Sequence, residues 1–179
     1  IRRGTLCTNM NLNGADLAGV NLSNSQFTRS DLSGANLRGA TLNEANFSQA
    51  EMAGAVLDGA SMLRTNLRGA RLTGASLKAA NLRNAILQNA DLHDADLSAA
   101  QLGGADLTNA RADGARFGEA DLQRANLRAA KLTGASFAGA NLQGANFTRA
   151  QLTDADLTGA NLEQAIFLNA QTDGCKGCP

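Results

Sequence analysis

Ala95-Asp96-Leu97-Ser98-Ala99-Ala100-Gln101-Leu102-Gly103-Gly104-Ala105-Asp106-Leu107 is the stretch that decides the fold. Leu97, Leu102 and Leu107 fall at a strict five-residue step, and Ala95, Ala100 and Ala105 stand two places before them. Read outward in both directions, the step holds from Leu12 to Phe167. Every centre is Leu, Phe or Met, Ala112 being the sole exception, and the residue two places earlier is nearly always Ala. Ala15-Asp16-Leu17, Ala35-Asn36-Leu37 and Ala155-Asp156-Leu157 repeat the same order of small, polar and large residues. A register that never slips marks a single uninterrupted repeat array.

A five-residue step drifts around a helix of about 3.6 residues per turn and would spread Leu over every side, so a long α-helix is excluded. The two-residue spacing of Ala and Leu puts both side chains on one side of an extended chain. A turn-tolerant residue follows soon after, as at Gly14, Gly34, Gly54, Gly74, Gly134 and Gly159. Each unit therefore reads as a short strand and a bend, and the fold class as all-β.

With its Ala-(Asp or Asn)-Leu-X-X units running from about Met10 to Ala170, the chain resembles the pentapeptide-repeat family. The resemblance implies a right-handed quadrilateral β-helix in which four units make a square coil of about twenty residues, with the large centres and Ala inside the shaft. On that reading the chain divides into an N-terminal lead-in or cap over 1–9, one β-helix over 10–170 and a tail over 171–179. The centres make about eight coils, and ~4.8 Å between stacked strands makes a rod about 38 Å long.

The chain is 44% hydrophobic, yet its mean hydropathy is slightly negative, because apolar residues are confined to inward positions. No apolar stretch is long enough to span a bilayer, and no signal-peptide pattern is present. A start at Ile1 without Met is expected of a processed product or of part of a longer chain.

Reduced to the coil, Phe27, Phe47, Phe147 and Phe167 share one column and Phe117 and Phe137 the opposite one, which reads as core packing. The ring of Phe117 is expected to fill part of the space left by the short Ala112. Asp31, Glu51, Arg71, Asp91, Arg111 and Lys131 stack along one outer edge, where Glu51–Arg71, Arg71–Asp91 and Asp91–Arg111 are expected to pair across coils. Asn46 over Asn66, Asn126 over Asn146 and Asn141 over Asn161 are expected to form amide ladders. Val56, Leu63 and Ile86 are apolar at outward positions and read as scattered.

Sixteen basic and sixteen acidic residues cancel, so the uniform positive field of a protein tracking a phosphate backbone is missing and nucleic acid is disfavoured as a partner. The family resemblance implies an alternative, a DNA-mimicking regulator or protector of a type II topoisomerase. Neutral charge and the absence of a projecting loop speak against it. The charge is nonetheless sorted. One face carries Arg29, Arg68, Arg128 and Arg149 with Asp106 as its only acid, and the next carries Asp31, Glu51, Asp91, Asp94, Asp113 and Asp154 against Arg71, Arg111 and Lys131. The arginine set is the candidate partner face, set against the plain reading of a solvated surface.

No convergent nucleophile, base and oxyanion donor is visible, so no catalytic residue, cofactor or metal is assigned. His93, the only His, falls at an exposed position near Asp91 and Asp94 and reads as a surface residue. Cys7 sits at a unit centre as a small buried residue. Cys175 and Cys178 lie in the tail, where three readings stay open: a plain tail, a local disulfide, or part of a zinc or redox site. The compartment follows whichever holds. Ile166-Phe167-Leu168 puts two apolar residues outside the shaft position near the last coil. Capping by the tail from Asn169 to Pro179 hides them, or a C-terminal homodimer does, as the resemblance implies. The reading reached is a non-enzymatic, rigid structural or protein-interaction module.

Overall fold

The computed structural model describes residues 2–179. Its backbone repeats one motif: a single bridging residue before each centre, then a two-residue turn. Bridges are parallel and join residues twenty apart without a break, from Leu6 with Gln26 to Asp156 with Lys176. Four units thus close one coil, and stacked coils form a β-helix solenoid. The ladder reaches into both segments that the sequence set apart as lead-in and tail.

The reason for the five-residue unit lies in its backbone donors. In residues 31–35, Asp31 N–H donates to Met10 O and Leu32 N–H to Glu51 O, at 2.9 and 2.7 Å. Gly34 N–H donates to Ala53 O at 2.9 Å, and Ala35 N–H closes the turn on Leu32 O at 3.0 Å. The fifth donor, Ser33 N–H, goes to Oδ1 of Asp31 at 2.9 Å. Every N–H of the unit is satisfied, which a buried, stacked backbone requires. Asp or Asn before the centre is therefore a turn cap of the Asx type.

In three units where that residue cannot cap, a side chain of the neighbouring coil substitutes. Asn43 Oδ1 accepts Leu63 N–H at 3.0 Å beside Ser61, and Asp113 Oδ1 accepts Thr133 N–H at 3.0 Å beside Lys131.

The second turn residue is left-handed throughout, with Gly at φ 64° for Gly34 but also Ala99 and Ala129 at 57° and 54°. Glycine adopts that region without a Cβ penalty, whereas alanine does so at a cost.

Leu, Phe, Met and Ala fill the shaft, most with no exposure at all. Phe27 stacks on Phe47 at 4.8 Å, Phe117 on Phe137 at 4.7 Å and Phe147 on Phe167 at 5.0 Å, centroid to centroid. These spacings match the strand separation that sets the rise per coil. The two opposite columns also meet, Phe137 edge-on to Phe147 at 5.8 Å. Ala112 and Phe117 are both buried. Where Ser or Thr replaces the inward Ala, its hydroxyl is bonded: Thr65 Oγ1 donates to Leu42 O at 2.9 Å.

Two expectations about the outer edge need correction. Of the three predicted ion pairs only Glu51–Arg71 forms, at 3.4 Å. Asp91 instead turns along its own chain, where Oδ1 accepts His93 N–H at 3.2 Å, and so pairs with neither Arg71 nor Arg111. Among the predicted amide ladders only Asn161 to Asn141 is bonded, at 3.3 Å. Asn66 and Asn146 give Oδ1 to the amides of Arg68 and Thr148. Asn46 and Asn126 send their amide nitrogens to Gln26 and to Asp106 and Thr108. The local turn amide competes for the acceptor and wins, because it is held two residues away at no further cost in chain entropy.

Candidate functional site

The face built from units centred on Phe27, Phe47, Leu67, Leu87, Leu107, Leu127 and Phe147 brings Arg29, Arg68, Arg128 and Arg149 together on one side of the rod. Arg68 and Arg128 occupy the first turn position of their units. Arg29 and Arg149 occupy the left-handed second one, at φ 57° and 62°. All four are exposed. Their residue numbers span six coils, or roughly 29 Å at ~4.8 Å per coil.

Among the described residues, every ion pair lies on the other three faces: Arg38–Asp58, Arg64–Glu44, Arg71–Glu51, Lys78–Asp96, Arg83–Asp121, His93–Asp113 and Arg116–Asp96. The four arginines have none. Arg29 Nε donates to Gln49 Oε1 at 2.9 Å, a neutral partner that leaves its charge uncompensated.

Two open grooves of about 420 Å³ each are found on this same face. The first runs between Arg29, Gln49, Arg68 and Asn89, over the small Gly69. The second runs between Asn109, Arg128 and Arg149, over Ala129. In both, a small residue at the second turn position leaves a gap between longer ones in the coils above and below.

Asp106, the only acid of the face, is already occupied. Oδ1 accepts Thr108 Oγ1–H at 2.6 Å and Thr108 N–H at 3.0 Å, and Oδ2 accepts Gln88 Nε2–H at 2.6 Å. Partial burial pushes its pKa up, but the Thr108 hydroxyl and amide and Gln88 outweigh this and hold the carboxyl below its ordinary value. It stays ionised without offering a free oxygen to a neighbouring arginine.

The described residues with large, exposed apolar side chains are Leu6, Met10, Ile86, Ile166 and Leu168, at 79, 45, 40, 48 and 62% exposure. Four of them fall on this face; Met10 opens the unit centred on Leu12, on the next one. Leu6, Ile86 and Ile166 share one column of it, successive members eighty residues apart. The reading of Ile86 as scattered is thereby corrected: the signal is in the sequence, but only as a remainder after division by the coil length. Ile166 and Leu168 are not covered by the tail, because Gln171 and Lys176 continue the ladder instead of folding back. Phe167 sits in the shaft on Phe147.

The other sequence candidates lie apart. Cys175 and Cys178 are joined by a disulfide, and both pack against the core. Cys7 is buried with a free thiol. His93 Nδ1 is 3.7 Å from Asp113 of the next coil, not from Asp94. Among the described residues no three His, Cys, Asp or Glu side chains are grouped to hold a metal. Nor is any helix among the described residues long and apolar enough to cross a membrane.

The profile of the family described as Pentapeptide repeats matches the chain in eight copies between residues 3 and 169. A similar solved structure is HetL, a pentapeptide repeat protein involved in heterocyst differentiation regulation from the cyanobacterium Nostoc sp. strain PCC 7120. The two are 31% identical over 97% of this chain and 89% of that one, with a TM-score of 0.58. A trypsin-treated form of QnrB1, a plasmid-mediated fluoroquinolone resistance protein, is 23% identical over 98% of this chain and 90% of that one, with a TM-score of 0.78, and shares the fold. Among curated protein sequences none matches significantly.

Proposed function

Because the chain belongs to the pentapeptide-repeat family, we propose that it is a right-handed quadrilateral β-helix of about eight coils acting as a non-enzymatic, rigid protein-interaction module. Its partner face is the one carrying Arg29, Arg68, Arg128 and Arg149. The observation that carries this reading is the coincidence, on one face of four, of four of the five large exposed apolar residues with four arginines that have no acidic partner. Arg and apolar anchors are the residues that dominate protein interfaces. Elsewhere on the rod the basic groups with ion pairs are compensated by acids of their own face. HetL, described as involved in regulation, supports a binding role over a catalytic one. A second copy docking at Ile166, Phe167 and Leu168 is the competing occupant of the C-terminal end of that face, and sedimentation equilibrium tests it.

A photoreactive residue in place of Thr148, on the arginine face, tests the main reading against one in place of Thr153, on the acidic face. In an extract of the source organism the Thr148 probe is expected to crosslink one specific protein, and the double substitution Arg68→Gln with Arg128→Gln to abolish that product. Equal products from both faces, or capture indifferent to the arginines, would overturn the reading. Capture of a type II topoisomerase, with inhibition of its supercoiling activity, would support the DNA-mimic reading instead.

A further inference from the structure

We infer that the partner lies along the arginine face as an extended acidic segment, with apolar residues six apart and carboxylates four apart; this rests on the interaction reading above. The geometry comes from the coil. Ile86 and Ile166 stand in one column eighty residues apart, and Leu6 precedes Ile86 by the same interval. At twenty residues per coil, that interval is four coils, or ~19 Å. An extended chain rises ~3.3 Å per residue, so six residues cover about 20 Å, and an even number returns the side chain to the same side. A helix rising ~1.5 Å per residue needs about thirteen residues for that distance, and at ~100° per residue these leave the two side chains roughly 140° apart. The extended chain matches the column; the helix does not.

The arginines follow the same measure. Arg68 and Arg128 are sixty residues apart, hence ~14 Å along the shaft, which four extended residues span with both side chains again on one side. Asn89 lies between them in the same face and offers an amide to the main chain of such a segment.

Charge and chemistry narrow the partner further. The uncompensated guanidinium groups call for carboxylates or phosphates. A nucleic-acid duplex, about 20 Å wide, overhangs onto the adjoining face, where Asp31, Glu51, Asp91, Asp94, Asp113 and Asp154 repel it. Single-stranded nucleic acid needs a row of exposed rings for successive bases, whereas Phe27, Phe47, Phe117, Phe137 and Phe147 are fully buried, Phe167 alone is partly exposed, and the chain has no Trp or Tyr. A narrow acidic peptide meets neither obstacle.

Fluorescence anisotropy with the whole chain tests the assignment. The probe is a labelled fourteen-residue peptide with two Leu six apart and two Glu four apart. Its competitors are a peptide of the same composition with both spacings set to five, a helix-forming peptide with Leu thirteen apart, and an oligothymidylate of equal charge. The first peptide is expected to bind at least tenfold tighter than the other three. Ile86→Asn, which places there the amide found at Asn46 and Asn66, and Arg68→Gln with Arg128→Gln should each weaken it at least tenfold. Arg38→Gln on another face should leave it unchanged. Equal binding of the spacing variant, tighter binding of the helix or the oligonucleotide, or no binding of any probe overturns the assignment. If the Thr148 crosslink still depends on Arg68 and Arg128, the interaction reading survives that failure; if it also disappears, both fall.

Discussion

Asp96→Asn should destabilise the rod by an amount that depends on pH in a defined way. Asp96 is almost fully buried. Oδ1 accepts Ser98 Oγ–H at 2.6 Å and Ser98 N–H at 3.1 Å, while Oδ2 accepts Arg116 Nη2–H at 3.1 Å and lies 3.2 Å from Lys78 Nζ. Burial opposes the charge, but the Ser98 hydroxyl and amide, Lys78 and Arg116 outweigh it and bring the pKa from 3.8 to about 2. At ~1.36 kcal/mol per pKa unit the ionised form is favoured by roughly 2 kcal/mol in the folded chain. Because Lys78 and Arg116 are more than half exposed, solvent screening brings the expected loss to about 1–2 kcal/mol. Asn keeps the shape and can still accept the Ser98 amide, so the charge is what the substitution removes. The folded pKa lies below the unfolded one. The stabilisation is thus complete above pH ~4 and fades as pH falls toward 2. Thermal unfolding of both proteins, followed by circular dichroism from pH 7 to pH 2, should show the variant lower by roughly 2–8 °C at pH 7 and the gap closing at pH 2. A gap independent of pH, or one that widens in acid, would refute the electrostatic account.

Other substitutions test the unit itself. Asn43→Ala orphans the Leu63 amide and should cost about 1–2 kcal/mol with faster exchange of that amide proton, while adding Ser61→Asn should restore both by capping the turn locally. Ala129→Gly, at φ 54°, should raise the denaturation midpoint by about 0.5–1 kcal/mol equivalent, and Gly34→Ala should lower it by a similar amount although open space surrounds the added methyl. Ala112→Leu should destabilise by about 1–3 kcal/mol through overpacking against Phe117; a stabilised variant would mean that an unfilled void lies beside Ala112. Under non-reducing conditions, thiol titration of the unfolded chain should find Cys7 alone, and after reduction Cys175 and Cys178 as well.

The residues that make the repeat were readable without a structure because each acts within its own unit. Leu and Ala alternate inward over two residues, and the left-handed turn position selects Gly wherever strain is to be avoided. The Asp or Asn before the centre was visible as a pattern, but its purpose was not. Counting the donors of one unit shows it to be the acceptor for the single N–H that no backbone carbonyl of turn or neighbouring coil accepts. The arginine face was also legible, since Arg29, Arg68, Arg128 and Arg149 fall together once the chain is wound four units to a coil. Ile86 was misjudged because its companions Leu6 and Ile166 are eighty residues away.

By itself, then, the sequence determined the period, the identity of the shaft residues and the sorting of charge among the faces, all of which follow from local chain geometry. Only the tertiary structure decided which acceptor serves each turn, why Asp91 pairs with neither Arg71 nor Arg111, and that Arg29, Arg68, Arg128 and Arg149, without an acidic partner, share their face with most of the large exposed apolar side chains. Those outcomes depend on competition between groups two residues apart along the chain and groups twenty apart across the coil. Only when both distances exist in space does the closer and better-aligned acceptor win.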